Sequence, residues 1–444
     1  MTLHAETARR LDEDGIEFLL LQFVDLTGAA KGKLVPRRQF DEVAADGVGF
    51  AGAAVVGLGQ GPHDPDVIAI PDLASYSRLA WQPNTVRFAC SLQVDGVPHP
   101  WCARSRLEHA LNELAREGMW LNVGFEPEFF LVQHRRRRLE RWDPAGIDTL
   151  DKPAYDLRSM SPALGYLQSI FDALHELGWE AYQADHEDAN GQFEINFGYC
   201  DALRAADRVV FFRLLAAELA RPLGAIATFM PKPFADLTGS GLHAHLHVAG
   251  ADGANLFVDD NDPRGHGCSP LAYSFISTAL RRAGALCALT SPTVNCYKRL
   301  GPSTRTPPTR SGHAWAPQTA TVGGNNRSHM IRVAGPGNIE DRSVSSACNP
   351  YLALIAYARL ASLAARATDA ESQAPDDRNA FEQTGLPALP ATLADAIDAF
   401  EADSELTDAL GQLAGEFTSL KRTECLEAHG HVSAWEVQRY LTAW

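Results

Sequence analysis

The sequence predicts an α+β protein in two parts, a small β-rich domain over residues 1–100 and a large α/β domain over residues 101–444. Three observations carry this. At 444 residues the chain is longer than a single hydrophobic core serves, so a division into domains is expected. Extended runs broken by prolines fill the first hundred residues. From residue 104 the apolar spacing turns helical, and strand-like and helix-like segments then alternate.

Residues 17–28 (EFLLLQFVDLTG) form an apolar run ending in a turn, and residues 31–36 (KGKLVP) read as its hairpin partner. Residues 64–100 hold short extended pieces set off by Pro65, Pro71, Pro83, Pro98 and Pro100. Leu107, Leu111 and Leu114 give residues 104–118 one apolar helix face. Strands are expected in GFEPEFFLV, GQFEINF and GSGLHAHLHV, and helices over 161–178, 201–221 and 349–366. The basic run 135–138 reads as a solvated hairpin turn, and the polar stretch 367–390 as an exposed loop. Val437, Tyr440, Leu441 and Trp444 repeat at helical spacing, so the last segment is an amphipathic helix. Packing on its own domain is the expectation, with docking on another subunit as the alternative.

The formal net charge of −16 argues against a nucleic-acid partner, which needs a basic face. The eight cysteines lie scattered with no CxxC pair, which suggests reduced thiols in a cytoplasm. The first fifteen residues lack the regions of a signal peptide, and no apolar stretch nears the ~20 residues that span a bilayer. A cytoplasmic protein without membrane contact is expected. Gly47, Gly49 and Gly52 match GxGxxG literally, but no strand immediately precedes them as a dinucleotide fold requires.

The chemistry-bearing residues begin with Glu126-Pro-Glu128. Strand residues i and i+2 share a face, so the two carboxylates project together about 6–7 Å apart from an apolar segment. Buried anions at that spacing call for cations between them. Glu187 and Glu194 bracket a glycine-containing turn, His243, His245 and His247 repeat at period two, and Glu340 follows in GNIEDR. An ExE on a strand is more often a solvent face, but the set together points to two metals. Carboxylate oxygens with imidazole suit Mg²⁺ or Mn²⁺ better than zinc. Lys298, Arg299, Arg327, Arg332 and Arg342 lie mostly in glycine-flanked loops nearby. Guanidinium forks bind carboxylates and phosphates, and metals with several arginines are what phosphoryl transfer requires.

The blocks EPEFF, HEDANGQFE, GSGLHAH, NCYKRLGP, NNRSHMIRV and IEDR with NPYL resemble, in this order and spacing, the glutamine synthetase family. The stretches DHEDANGQFEINF, FMPKPF and LKRTE…SAWE are similar to its short type III-like branch, which includes glutamate–amine ligases. The resemblance implies a β-grasp-like N-terminal domain on a catalytic domain of the glutamine synthetase type. It implies homo-oligomers of stacked hexameric rings, a dodecamer, with active sites between neighbouring subunits. It implies that Glu128, Glu187 and Glu194 hold one metal and Glu126, His243 and Glu340 a second, with two to three Mg²⁺ or Mn²⁺ per site. ATP, the co-substrate, falls to His245, Arg327, Arg332 and Tyr199, and L-glutamate to Gly239, Arg299, Arg327 and Arg342. Arg327, Glu187 and Trp315 are the catalytic candidates. Glutamate would take the γ-phosphate of ATP, and an amine would then displace phosphate from γ-glutamyl phosphate.

Departures from the family pattern refine this. Acids that line the ammonium pocket of glutamine synthetases, in EAP and DGS segments, are replaced in Trp315-Ala316-Pro317 and Ala51-Gly52-Ala53. An indole face holds an alkylammonium by cation–π contact, ~0.5–2 kcal/mol, and burying a methyl adds ~0.8 kcal/mol. Trp315 and Ala51 are thus the expected amine pocket and methylamine the expected amine, with isopropylamine, ethanolamine and polyamines open. Glutamine synthetase using ammonia, or a non-catalytic ring that binds ATP or glutamate, are the alternatives. Thr238 replaces an Asn of the glutamate loop, Asn338 replaces an arginine expected at an ATP phosphate, and Ser343 to Ser345 replace an RFPD-type continuation. Asn379-Ala380-Phe381 stands where adenylylated relatives carry a tyrosine, and phenylalanine has no hydroxyl to modify.

Overall fold

The computed structural model describes residues 2–135, 138–301, 309–367 and 374–444. Two sheets organise it. The first has seven strands, β1 (Phe18–Val24), β2 (Ala30–Pro36), β3 (Val48–Phe50), β4 (Val67–Pro71), β5 (Ser77–Leu79), β6 (Gln82–Val94) and β7 (Val97–Pro98), with the order β2-β1-β6-β4-β3. β1 and β2 form the expected antiparallel hairpin, and β1 pairs in parallel with β6. Residues 64–100 were expected as short pieces, but β6 runs thirteen residues through Pro83. Its stretch from Thr85 to Cys90 is buried, and that burial outweighs a proline at one end. Gly47, Gly49 and Gly52 flank the short strand β3 and a 3₁₀ turn, not a strand-to-helix loop.

The second sheet holds β8 (Trp120–Arg135), β9 (Arg138–Arg141), β10 (Ala181–His186), β11 (Gln192–Phe197), β12 (Cys200–Asp201), β13 (Ile226–Thr228), β14 (Leu242–Ala249), β15 (Val322–Gly323), β16 (Ile331–Gly335) and β17 (Asn338–Asp341). Its order is β10-β11-β8-β14-β17-β16-β15. All of its pairs are antiparallel except β15 with β16. Pro127, with no N–H for a ladder, sits where the β14 pairing of β8 ends. Arg135 and Arg138 close a β8–β9 hairpin as expected, with residues 136–137 outside the described residues. So are Pro302 of the NCYKRLGP block and residues 368–373 of the expected loop.

The helices fall close to their predicted places, as Ala103–Arg116, Leu164–Glu176 after a 3₁₀ turn, Ala202–Ala220 and Pro350–Arg366. Pro350–Arg366 is buried nearly throughout and anchors the main core. The first sheet keeps its own core around Leu19, Leu21, Phe23, Val86 and Phe88. A polar joint ties the helices of the second sheet to the first, where Arg104 Nη2 reaches Asp72, the residue after β4, at 2.6 Å. Arg104 grips Asp207 through Nε at 3.0 Å and Nη2 at 2.9 Å, and Tyr351 donates to the same carboxylate at 2.6 Å. Every partner there is satisfied, which is what lets ions stay buried.

The C-terminal helix, Ala434–Tyr440, overturns the expectation that it packs on its own domain. None of its residues is buried. Trp435, Val437, Tyr440, Leu441 and Trp444 are all exposed; the Tyr440 ring meets those of Trp435 and Trp444, and Arg439 of the same helix lies over Trp435.

Candidate active site

Four neighbouring strands place acids and imidazoles on one face of the second sheet. The register sets Glu194 of β11 opposite Glu128 of β8, Glu126 opposite His243 of β14, and His245 opposite Glu340 of β17. Arg332 of β16 continues the row opposite Glu340. Period two on each strand makes this alignment: Glu126 with Glu128, and His243 with His245. Glu187 joins from the β10–β11 turn, where its N–H donates to the Gln192 carbonyl. His243 lies 3.4 Å from Glu126, 3.6 Å from Glu128 and 3.6 Å from Glu340, while His245 Nε2 lies 3.1 Å from Glu126. Glu128, Glu187 and Glu194 bring one oxygen each within 4.8 Å of one another, and so do the ligand atoms of Glu126, His245 and Glu340 and of Glu126, Glu194 and His243.

Burial and crowding set the electrostatics of this face. Burial, then Glu128 beside it, pushes Glu187 up to about 8. Burial, then Glu126 and Glu187, pushes Glu194 well above the carboxylate range. Burial acts the same way on Glu126 and Glu340, but hydrogen bonds from His243 and His245 pull Glu126 far down, and Arg342 with the two histidines brings Glu340 to about 2. Glu126 and Glu340 therefore favour the charged form while Glu187 and Glu194 resist it, and added positive charge resolves such a cluster. Its donor set of carboxylate oxygens with imidazole fits hard divalent cations.

The face opens into a cavity of about 340 Å³. Glu126, Glu128, Glu187, Glu194, His243, Glu340, Gly239, Arg299, Arg327, Arg332, Arg342 and Trp315 all line it. Arg332 and Arg342 both reach Glu340, at 2.8 Å and 2.6 Å, and Arg342 Nε is a buried donor with no acceptor among the described residues. Arg299 edges the cavity, yet its terminal nitrogens donate to the carbonyls of Arg342, Ser343 and Val344. It thus holds the backbone behind Arg342. Ser343 in turn donates to Asp341 from both N–H and hydroxyl, which gives the altered continuation its own anchor. Gly239 has no room for a side chain, because a Cβ there would strike the Pro231 carbonyl oxygen.

Three expected residues stay off the cavity lining, His245 among them, though its ring meets Glu126 on the same sheet face. Ala51 is exposed, just ahead of the 3₁₀ turn Gly52–Ala54, and its own chain does not bring it to the cavity. Tyr199 stands beside His247 at a ring distance of 5.0 Å, farther along the same sheet face, and is largely exposed. Asn338, read from sequence as a lost phosphate contact, accepts from His245 Nδ1 at 2.9 Å and so orients that ring toward Glu126.

Tyr155, Gln183, Asp185 and Asp188 also line the cavity and were not singled out. Gln183, Asp185 and Glu187 alternate along one stretch, so period two would have found them. Tyr155 carried no signal. It and Trp315 are bulky residues held at positive φ, +62° and +56°, where non-glycine residues are rare outside functional sites.

Residues 100–440 match the family described as glutamine synthetase, catalytic domain. A glutamate–methylamine ligase of Methyloversatilis universalis is 41% identical over 98% of this chain and 99% of its own. A glutamine synthetase of Rhizobium meliloti is 37% identical over 99% of this chain and all of its own. Among solved structures, a GmaS–ADP complex superposes with a TM-score of 0.91 at 40% identity, covering 98% of this chain and 99% of that one. A ligand-free GmaS gives 0.90 at 39% identity, covering 98% and 99%.

Proposed function

The chain belongs to the glutamine synthetase family, and on that premise we propose that it is an ATP-dependent ligase joining the γ-carboxylate of L-glutamate to a primary amine, methylamine first. The product is γ-glutamylmethylamide, with ADP and phosphate. One observation carries the choice of amine: Trp315 lines the cavity where an ammonium-binding acid would stand in glutamine synthetases. The 41% identity to a glutamate–methylamine ligase supports the same reading.

Family enzymes use ATP and divalent metal ions. Here Glu128, Glu187 and Glu194 would hold one ion, and Glu126, His243 and Glu340 a second, His243 lying 3.4 Å from Glu126 and 3.6 Å from Glu340, with His245 beside them toward ATP. Such ions, Mg²⁺ or Mn²⁺, neutralise phosphate oxygens when bound. Arg332 and Arg327 meet the ATP phosphates, and Arg342 offers its unpaired Nε to a glutamate carboxylate. A γ-carboxylate oxygen then attacks the γ-phosphorus, and the bond to ADP breaks. Trp315 presents its π face to the alkylammonium, which gives up one proton toward the wall that carries Asp185 and Glu187. The freed amine nitrogen then attacks the acyl carbon, the bond to phosphate breaks, and the nitrogen loses its second proton to leave the neutral amide.

The division into a β-grasp-like domain over 1–100 and a catalytic domain over 101–444 belongs to the same reading, as do stacked hexameric rings. The exposed Ala51 and the uncovered C-terminal helix suit contacts between neighbours. Eight unpaired thiols suit the cytoplasm. No helix among the described residues is long and apolar enough to cross a membrane.

Phosphate release with ATP, glutamate and a panel of ammonia, methylamine, isopropylamine and ethanolamine tests the reading. Methylamine should give the highest kcat/KM. Equal or better use of ammonia would assign the chain to glutamine synthetases, and no release with any amine would leave a binding protein.

A further inference from the structure

The loop that carries Trp315 is tied to the rest of the site by hydroxyl groups. Ser311 and Thr238 both donate to Asp188 Oδ2. Thr309 donates to the His313 carbonyl at 2.6 Å, and the Ser311 and Thr238 oxygens lie 3.3 Å from that same carbonyl. All three hydroxyl residues are buried. A second tie comes from Arg310, which reaches Asp151 at 2.8 Å and Asn190 Oδ1 at 3.1 Å. Two residues beyond His313, Trp315 sits at φ +56° with its ring 5.2 Å from the His313 ring. Its carbonyl accepts from Arg342 Nη2 at 3.3 Å. A bulky residue in that conformation stays there only if its surroundings hold it.

We propose that Asp188 is a positioning residue for amine selection, which through the Ser311 and Thr238 hydroxyls sets where the Trp315 indole stands in the cavity. The proposal rests on the reading of Trp315 as the amine wall. Asp188 follows Glu187 directly, so one short turn places both a carboxylate of the metal cluster and the support of the amine wall. Thr238, which replaces an asparagine of the family pattern, then serves the Trp315 loop. Its neighbour Gly239 lines the cavity.

Steady-state kinetics of the full-length enzyme, with each substrate varied in turn, tests this. Ser311→Ala and Thr238→Val each remove one buried hydrogen bond and should raise KM for methylamine about three- to tenfold. For Ser311→Ala, KM for ATP and glutamate should stay within about twofold, and Ser311→Thr, which keeps the hydroxyl, should restore the methylamine value; Thr238 belongs to the glutamate loop and lines the cavity, so Thr238→Val is read on the methylamine KM alone. Asp188→Asn should follow the same pattern, but it adjoins Glu187, so the hydroxyl variants are the decisive ones. In a Trp315→Ala background the Ser311→Ala effect should vanish, because the held ring is gone. Equal rises in all three KM values, or full additivity with Trp315→Ala, would overturn the positioning role. If Trp315→Ala itself leaves the methylamine KM unchanged, the amine wall fails and the proposal with it. If Trp315→Ala raises that KM while the hydroxyl variants do not, only the proposal fails.

Discussion

Trp315 stores backbone strain of about 1–3 kcal/mol for a bulky residue at positive φ, and it stands 39% exposed on the cavity wall. Nothing in a hydrophobic core requires that arrangement, whereas an alkylammonium does gain from an indole face. Trp315→Glu should therefore shift preference toward ammonia, since a carboxylate favours the smaller, more strongly solvated cation. A drop of about 2–30-fold in methylamine kcat/KM is expected from loss of the cation–π contact, read in a side-by-side assay with ammonia. An unchanged ratio of the two amines would refute the role. The sequence showed this residue plainly, as a tryptophan in place of an acid. It did not show Asn338 orienting His245, because that contact joins strands 93 residues apart.

The sheet face made by β11, β8, β14 and β17 behaves as one electrostatic element. Glu187 keeps its proton in the fold up to about 8, while the unfolded chain releases it near 4.5. Between these values the folded chain carries more protons, so the metal-free protein loses stability as pH rises through that window. A divalent cation competes for the same oxygens and should bind more tightly with rising pH, releasing protons as it does. Thermal melts with Mg²⁺ and with EDTA should differ more at pH 8 than at pH 6; equal gaps would contradict the assignment of Glu187. Glu128→Gln and Glu340→Gln should each cost at least about a hundredfold in kcat. Glutamine keeps an acceptor for the Gly241 N–H that Glu128 binds at 2.8 Å, so circular dichroism should stay native. Retention of more than a few per cent of turnover in either variant, about a twentieth of wild type or above, would remove that residue from the metal cluster.

At the scale of the molecule, the C-terminal helix leaves Trp435, Val437, Tyr440, Leu441 and Trp444 facing solvent. Contiguous aromatic surface of this kind marks an interaction site, and closed symmetric oligomers are its usual setting. Deleting residues 432–444 should reduce the particle mass seen by analytical ultracentrifugation while the circular dichroism spectrum keeps its shape. A particle of unchanged mass would show that the helix contributes nothing to assembly.

What the sequence by itself determined is whatever a short repeat can encode. Period two set Glu126 beside Glu128 and His243 beside His245, and helical spacing placed Leu107, Leu111 and Leu114 on one face. Those readings needed only local backbone geometry. The tertiary structure alone decided which strands lie side by side, and hence that Glu194 faces Glu128 and Glu340 faces His245. It decided that Arg299 supports a backbone turn, that Tyr155 reaches the cavity, and that Asp188 meets Ser311 across 123 residues. It also left the last helix uncovered, although its apolar period was legible. The physical reason is that strand order and loop docking arise from the burial of whole sheets, and no local period carries that information.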